Sequence, residues 1–121
     1  MTTRDQRRSL GEFGERVAAG HLRAAGMVIL DRNYRCAHGE IDIVARDGDT
    51  LVICEVKTRR NLEYGSPFEA VTPQKAARLR RLAAHWLAEY AMSPPSVRID
   101  VVGVVVPARG APRIECVSGV A

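Results

Sequence analysis

Three charged residues lie inside two otherwise apolar segments, and their types suit metal-assisted chemistry on a phosphate group. Asp42, Glu55 and Lys57 belong to residues 39–60, GEIDIVARDGDTLVICEVKTRR, where Val, Ile, Leu and Cys surround them. Charges in such runs cost free energy unless they are paired, hydrated or bound to a metal. Carboxylates are ligands that Mg²⁺ prefers, and a nearby ammonium can stabilise charge on a phosphoryl group.

The two apolar segments predict an antiparallel β-hairpin over residues 40–46 and 51–57. Both are rich in the β-branched residues that favour strands, and Asp47-Gly48-Asp49 between them is a turn signal. A loop from Asp47 to Thr50 is one common hairpin length, and a tighter loop at Asp47-Gly48 is another.

Side-chain alternation then predicts where the charges point. With the loop from Asp47 to Thr50, Asp42 lies opposite Glu55, and Glu40 lies opposite Lys57. The two-residue loop keeps all four side chains on one face. A three-residue loop would move the charges to opposite faces, so two of the three plausible registers build one cluster.

Such a cluster has a functional and a structural interpretation. Opposed β carbons lie about 5 Å apart, so Asp42 and Glu55 could hold one Mg²⁺ or Mn²⁺, together with the Val56 carbonyl. Lys57 would then keep its charge beside the acids, position the attacking water and stabilise the transition state. Alternatively, Lys57 forms a cross-strand salt bridge with Glu40 or Glu55 on a half-exposed sheet, worth under about 1 kcal/mol.

A helix is predicted before the hairpin, from Ser9 to Ala25. Ser9 with Glu12 three residues later is a capping-box pattern, and Gly26 is a natural stop. Glu15 lies at the margin of the apolar stripe. Such a carboxylate is usually solvated, but it could also face the hairpin.

The rest of the chain completes an α/β domain. The other predicted elements are a strand near residues 27–34, a loop over 58–72, a helix capped by Thr72-Pro73, a strand over 97–106 and an edge strand over 113–117. The order is α-β-β-β-α-β plus an extra strand, with helices on both faces of a central mixed sheet. The length of 121 residues fits one domain over residues 1–121.

Basic residues surround the predicted cluster and indicate a polyanionic partner. The net charge is +4, which favours but does not require nucleic acid. The residues expected at the rim to contact phosphates are Arg35, Arg59, Arg60, Gln74, Lys75, Arg78 and Arg81. Aromatic residues are only 5%, so recognition of backbone and shape fits better than base stacking. Lys75 opposes the dipole of its helix, which favours an anionic ligand there or simple tolerance of an exposed lysine.

The cysteines and the N-terminal sequence bear on the compartment. Cys36, Cys54 and Cys116 are widely spaced and odd in number, which is typical of reduced thiols in a cytosol. Residues 1–8 are polar, and no apolar run approaches transmembrane length. We therefore expect a cytoplasmic protein without a membrane partner.

Several segments together resemble the YraN family of bacterial proteins. They are Gly14-Glu15, residues 32–35 (RNYR), 39–44 (GEIDIV), 55–59 (EVKTR), 65–67 (GSP) and 98–102 (RIDVV). That family resembles the PD-(D/E)xK nuclease superfamily, with its restriction-endonuclease-like fold, and within it the archaeal Holliday-junction resolvases. The resemblance implies catalytic roles for Asp42, Glu55 and Lys57, and it matches Glu15 to the helix acid of the resolvases. Ile41 stands where the superfamily has proline, a position without a metal role.

Three functional hypotheses follow. The first is a Mg²⁺- or Mn²⁺-dependent DNA endonuclease acting on branched or otherwise structured DNA. The second is a nucleic-acid-binding module of the same fold that cleaves little and acts with a partner protein. The third is a sheet scaffold with surface salt bridges and no nucleic acid. Resemblance to the resolvases implies a homodimer, although the sequence shows no distinctive dimer patch.

Overall fold

A computed structural model of the protein describes residues 3–60 and 72–120. Its elements, in chain order, are α1 (Thr3–Ala24), β1 (Val28–Cys36), β2 (Gly39–Asp47), β3 (Thr50–Arg59), α2 (Pro73–Glu89), β4 (Ser96–Val105) and β5 (Arg113–Val117). The expected order α-β-β-β-α-β with an extra edge strand is therefore confirmed.

The five strands form one mixed sheet in the order β1-β2-β3-β4-β5. Strands β3 and β4 are parallel, and the other neighbouring pairs are antiparallel. Parallel neighbours need a crossover connection, and α2 lies on that connection. The mixed sheet and its two helices confirm the predicted α/β class.

Each helix covers a different face of the sheet, as expected. On β3, Leu51 and Ile53 pack in the core beneath α2, whereas Val52 and Cys54 pack in the core beneath α1. Both faces of this strand are buried, which explains its near-continuous apolar sequence.

The start of α1 differs from the prediction. Ser9 lies inside the helix rather than at its N-cap, because α1 begins six residues earlier at Thr3. The polar residues before Ser9 continue the helix, and an exposed Arg8–Glu12 ion pair of 3.4 Å supports this turn. The capping-box pattern was therefore wrong as a boundary signal. At the other helix, Tyr90 forms the C-cap of α2 and is 51% exposed.

The boundaries around the hairpin are closer to expectation. Asp47 pairs with Thr50, so the turn is only Gly48-Asp49, and Gly48 has a φ of 59° as a tight turn requires. The Thr72 hydroxyl accepts the Lys75 backbone N–H at 3.1 Å, which confirms the predicted cap of α2.

Most of the loop predicted over 58–72 lies outside the described residues. In the described part of the chain, neither helix is long and apolar enough to cross a membrane.

Candidate functional site

The β2–β3 hairpin opens where its apolar sequence meets the charged residues. The last paired residues of its ladder are Ile43 and Cys54, so Asp42 and Glu55 occupy the next opposed positions. There the Asp42 carboxylate accepts the Val56 backbone N–H at 2.8 Å. The Asp42 side chain thus accepts an N–H that a backbone carbonyl would accept in a regular ladder. We call this opening, formed by Asp42, Glu55, Val56 and Lys57, the fork.

Strict alternation of side chains fails on β2 beside the fork. Ile41 and Val44 both pack in the core beneath α2, although they are three positions apart. On β1, the position facing Asp42 is held by Asn33, which has a left-handed φ of 54°. The predicted register is confirmed, since Asp42 lies opposite Glu55, but the strand pair is not regular there. Asp42 lies close to acids of α1 and β2 and feels the charge of Glu55 most strongly, while Glu55 also contacts Lys75 of α2.

An acid cluster forms on the α1 side of the fork. Carboxylate oxygens of Glu15, Glu40 and Asp42 lie within 4.8 Å of one another. Helix α1 can approach this closely because residue 14 is glycine, and a β carbon there would overlap the Thr58 side chain. The predicted inward role of Glu15 thus has a structural basis, and Glu40 joins it.

The acid cluster carries more negative charge than its surroundings neutralise. Burial is the largest cause that raises the pKa of Asp42, to about 7, and the charge of Glu55 is the second. Burial also raises the pKa of Glu15, against a hydrogen bond from Asn33 and the charge of Arg32. Within residues 4–60 and 72–120, the one salt bridge to this cluster joins Glu40 to Arg35 at 3.5 Å. A cation is therefore electrostatically favoured at this position.

Glu55 is held by two lysines. One of its oxygens, Oε1, contacts Lys57 Nζ at 3.2 Å and Lys75 Nζ at 2.9 Å. Burial and the neighbouring Lys75 lower the pKa of Lys57. Burial opposes the charge of Lys75 too, but hydrogen bonds to Lys57 and Glu55 outweigh it and raise the Lys75 pKa. Glu55 favours the charged form of Lys57, as expected, but burial and then the competing Lys75 outweigh it and set the direction of the pKa shift.

The alternative of a simple salt bridge is met only in part. Lys57 does pair with Glu55, but Glu55 is only 8% exposed and so is not on a half-exposed surface. Glu40, the other expected partner, pairs with Arg35 of β1 instead. The lysines and acids of the fork form a buried network rather than an isolated surface pair.

The predicted phosphate-contacting residues fall into separate groups around the fork. A cavity of about 490 Å³ on α2 is lined by Gln74, Lys75, Arg78 and Arg81. Arg59 lines a second cavity of about 260 Å³ between α1 and the end of β3. Arg35 lies beside Glu40, and Arg60 is exposed just after β3. The two cavities adjoin the fork from opposite helices, because Lys75 lines one and Lys57 the other.

Two features of the site were not expected from the sequence. Lys75 contacts Glu55 directly, and Arg7 lines the smaller cavity. Glu40 lies in the acid cluster beside Asp42, as the alternation of side chains predicted. The contact of Lys75 depends on how α2 docks on the sheet, which no local pattern encodes.

The fold and the site define an α/β domain whose mixed sheet carries an acid cluster and two lysines where its central hairpin opens. The chain belongs to the UPF0102 family, since the model of that family, described as "Uncharacterised protein family UPF0102", matches residues 14–104. The matched region contains Glu15, Asp42, Glu55, Lys57 and Lys75.

Curated relatives match almost the whole chain. A UPF0102 protein of Kineococcus radiotolerans is 59% identical over 113 residues, which cover 93% of each chain. One from Streptomyces coelicolor is 57% identical over 117 residues, covering 95% of this chain and 90% of the relative. One from a Nocardioides species is 54% identical over 114 residues, covering 94% and 92%. The family extends over the full site.

Proposed function

We propose that the protein is a Mg²⁺- or Mn²⁺-dependent endonuclease that hydrolyses phosphodiester bonds in branched or otherwise structured DNA. The observation that carries the proposal is the acid cluster of Glu15, Glu40 and Asp42. Beside it lies Glu55, which pairs with Lys57 and Lys75. The resemblance of Asp42, Glu55 and Lys57 to the nuclease motif of the restriction-endonuclease-like fold supports it independently.

The donor set fits a hard divalent cation. Carboxylate oxygens are the ligands that Mg²⁺ and Mn²⁺ take, and burial, followed by the charge of Glu55, raises the pKa of Asp42. Asp42 with Glu15 and Glu40 would hold the ion, and Glu55 with the Val56 carbonyl would complete the set. A bound ion supplies a water of lowered pKa and neutralises charge on the phosphate.

The two lysines would act on the attacking water and on the charge of the phosphate. Lys57, whose Nζ lies 3.2 Å from Glu55, would position the attacking water and stabilise charge on the phosphate. Lys75 contacts Glu55 at the shorter distance of 2.9 Å and retains its charge, so it holds Glu55 in place and faces the phosphate. The basic residues of the 490 Å³ cavity on α2 would bind the adjoining backbone.

A cleavage panel tests this proposal. Duplex, single-stranded, flap and four-way DNA are incubated with Mg²⁺ or Mn²⁺ and highly purified protein. We expect cleavage that falls by about 100-fold or more in Lys57→Met and in Asp42→Asn, because each removes a group acting on the transition state. Matched controls are Arg46→Met and Asp49→Asn, which change exposed residues of the same hairpin. Cleavage by Lys57→Met at the parental rate would exclude the mechanism.

A second candidate is a DNA-binding module of this fold that does not cleave and acts with a partner protein. The observation that favours it is that Glu55 is occupied by Lys57 and Lys75 rather than grouped with the other acids. This candidate predicts salt-sensitive DNA binding without cleavage on any substrate of the panel. Metal-dependent cleavage that Asp42→Asn abolishes would exclude it.

A further inference from the structure

The cavity of about 260 Å³ between the first half of α1 and the end of β3 has no role in the mechanism above. We call it the α1 chamber. It adjoins the acid cluster, because Glu15 belongs to both, and it adjoins the fork through Lys57. A ligand in the chamber would therefore lie next to the proposed point of cleavage.

The charges lining the α1 chamber select an anion. The lining contains the guanidinium groups of Arg7 and Arg59 and one carboxylate, that of Glu15, besides Lys57, which pairs with Glu55. Two guanidinium groups against one carboxylate leave an excess of positive charge. Arg59 donates to the Thr58 carbonyl at 3.2 Å, and this bond helps to hold its guanidinium, a group that carries five N–H donors. Arginine binds phosphate oxygens through two parallel hydrogen bonds, so a phosphate group suits this lining.

The chamber is kept open by the absence of a side chain on α1. Gly11 lines it, and a β carbon added at Gly11 would meet no atom within 4 Å. Gly20, on the same helix, has the same free space but lies exposed and away from the chamber. A larger side chain at position 11 would therefore fill the chamber. The same side chain at position 20 controls for its effect on the helix.

We propose that the α1 chamber binds one phosphate group of a nucleic-acid strand, held by Arg7 and Arg59 beside the acid cluster. The proposal rests on the proposed function only in taking the ligand to be nucleic acid. The phosphate has two sources, a backbone phosphodiester or a phosphorylated strand end. The larger charge of a terminal phosphate matches the excess of cations better.

Binding measured without cleavage tests the proposal. The probe is a short fluorescent single strand carrying a 5′-phosphate, a 3′-phosphate or hydroxyl ends, and anisotropy is recorded in EDTA so that no metal acts. Gly11→Leu should weaken binding by about tenfold through loss of the phosphate contacts, and Arg7→Gln should reduce the salt dependence by about one phosphate. The controls Gly20→Leu and Arg23→Gln should bind within about twofold of the parent.

Each outcome decides between the alternatives. Weakening of all strands alike assigns the chamber to a backbone phosphate, and weakening of one phosphorylated strand assigns it to that strand end. Unchanged binding by Gly11→Leu and Arg7→Gln, in a protein that still cleaves DNA, overturns the chamber and leaves the nuclease proposal standing. No binding of any strand by the parent overturns the chamber, and the cleavage panel then decides the nuclease proposal separately. Arg7→Gln, at an exposed residue, keeps the test valid if Gly11→Leu does not fold.

Discussion

Two inward-facing aspartates in this small sheet have opposite surroundings. Asp100 on β4 is 1% exposed, and Arg98 donates two hydrogen bonds to it at 2.9 and 3.1 Å. Its carboxylate also accepts from Ser118 and from the Gly119 backbone, at 3.4 and 3.1 Å. Asp42 on β2 has one backbone donor and three acidic neighbours.

The difference lies in how many donors each carboxylate has. Every oxygen of Asp100 has a protein donor, so its charge is satisfied without any further group. Within the described residues Asp42 has one donor, and burial together with the charge of Glu55 raises its pKa to about 7, so the cation of the proposed function would satisfy its charge. Identical side chains therefore contribute in opposite directions to the stability of the metal-free protein.

The strongest test of this comparison is removal of the satisfied carboxylate. Asp100→Ala leaves Arg98 without its main partner and Gly119 without an acceptor, and we expect a loss of about 3–5 kcal/mol in the free energy of unfolding. Urea denaturation measures it, with Asp49→Asn as a control expected within about 0.5 kcal/mol of the parent. A loss below 1 kcal/mol would contradict the structural role of Asp100.

Neutralising Asp42 should have the opposite sign. The folded-state pKa of Asp42 is raised, so the folded protein binds more protons than the unfolded chain between about pH 4 and 7, and stability falls as pH rises through this window. In EDTA at pH 8, Asp42→Asn should therefore raise the free energy of unfolding by about 1–3 kcal/mol, less than the full shift because the side chain is only partly buried.

The pH profile provides the control for this effect. The gain from Asp42→Asn should shrink as pH falls from 8 to 4, since the parental carboxyl becomes protonated and loses its unfavourable charge. Urea denaturation at a series of pH values measures this difference. A variant that is less stable than the parent at pH 8 would show that Asp42 is structural, like Asp100.

The smallest expected effect is stabilisation by the metal. At a concentration ten times its dissociation constant, Mg²⁺ or Mn²⁺ should stabilise the parent by about 1.4 kcal/mol, which raises the melting temperature by a few degrees. Glu15→Gln and Asp42→Asn should lose the shift, and Asp49→Asn should retain it. An equal shift in Asp42→Asn would place the bound cation elsewhere.

Local sequence patterns predicted most of the fold. The turn residues Asp47-Gly48-Asp49 between apolar runs identified the hairpin, and Thr72-Pro73 located the start of α2. The predicted start of α1 at Ser9 was wrong, because the capping box is a local preference and the helix continues through the residues before it.

The site was less predictable because it depends on departures from local regularity. Alternation on an ideal strand cannot anticipate that Ile41 and Val44 share a face, or that Asn33 adopts a left-handed conformation. The pairing of Lys75 with Glu55 joins residues 20 positions apart through the docking of α2. The chemically relevant residue types were recognisable from the sequence, whereas their partners required the tertiary structure.

The glycine at position 14 has a consequence for how the site comes apart. Because this residue rests directly on Thr58, the first half of α1 lies against β3 through a contact that any larger side chain would disrupt. Ala18, Ala19 and Leu22 hold the second half of the helix in the core. A larger residue at position 14 would therefore displace Glu15 and one wall of the α1 chamber, while the sheet and the buried half of α1 keep their packing.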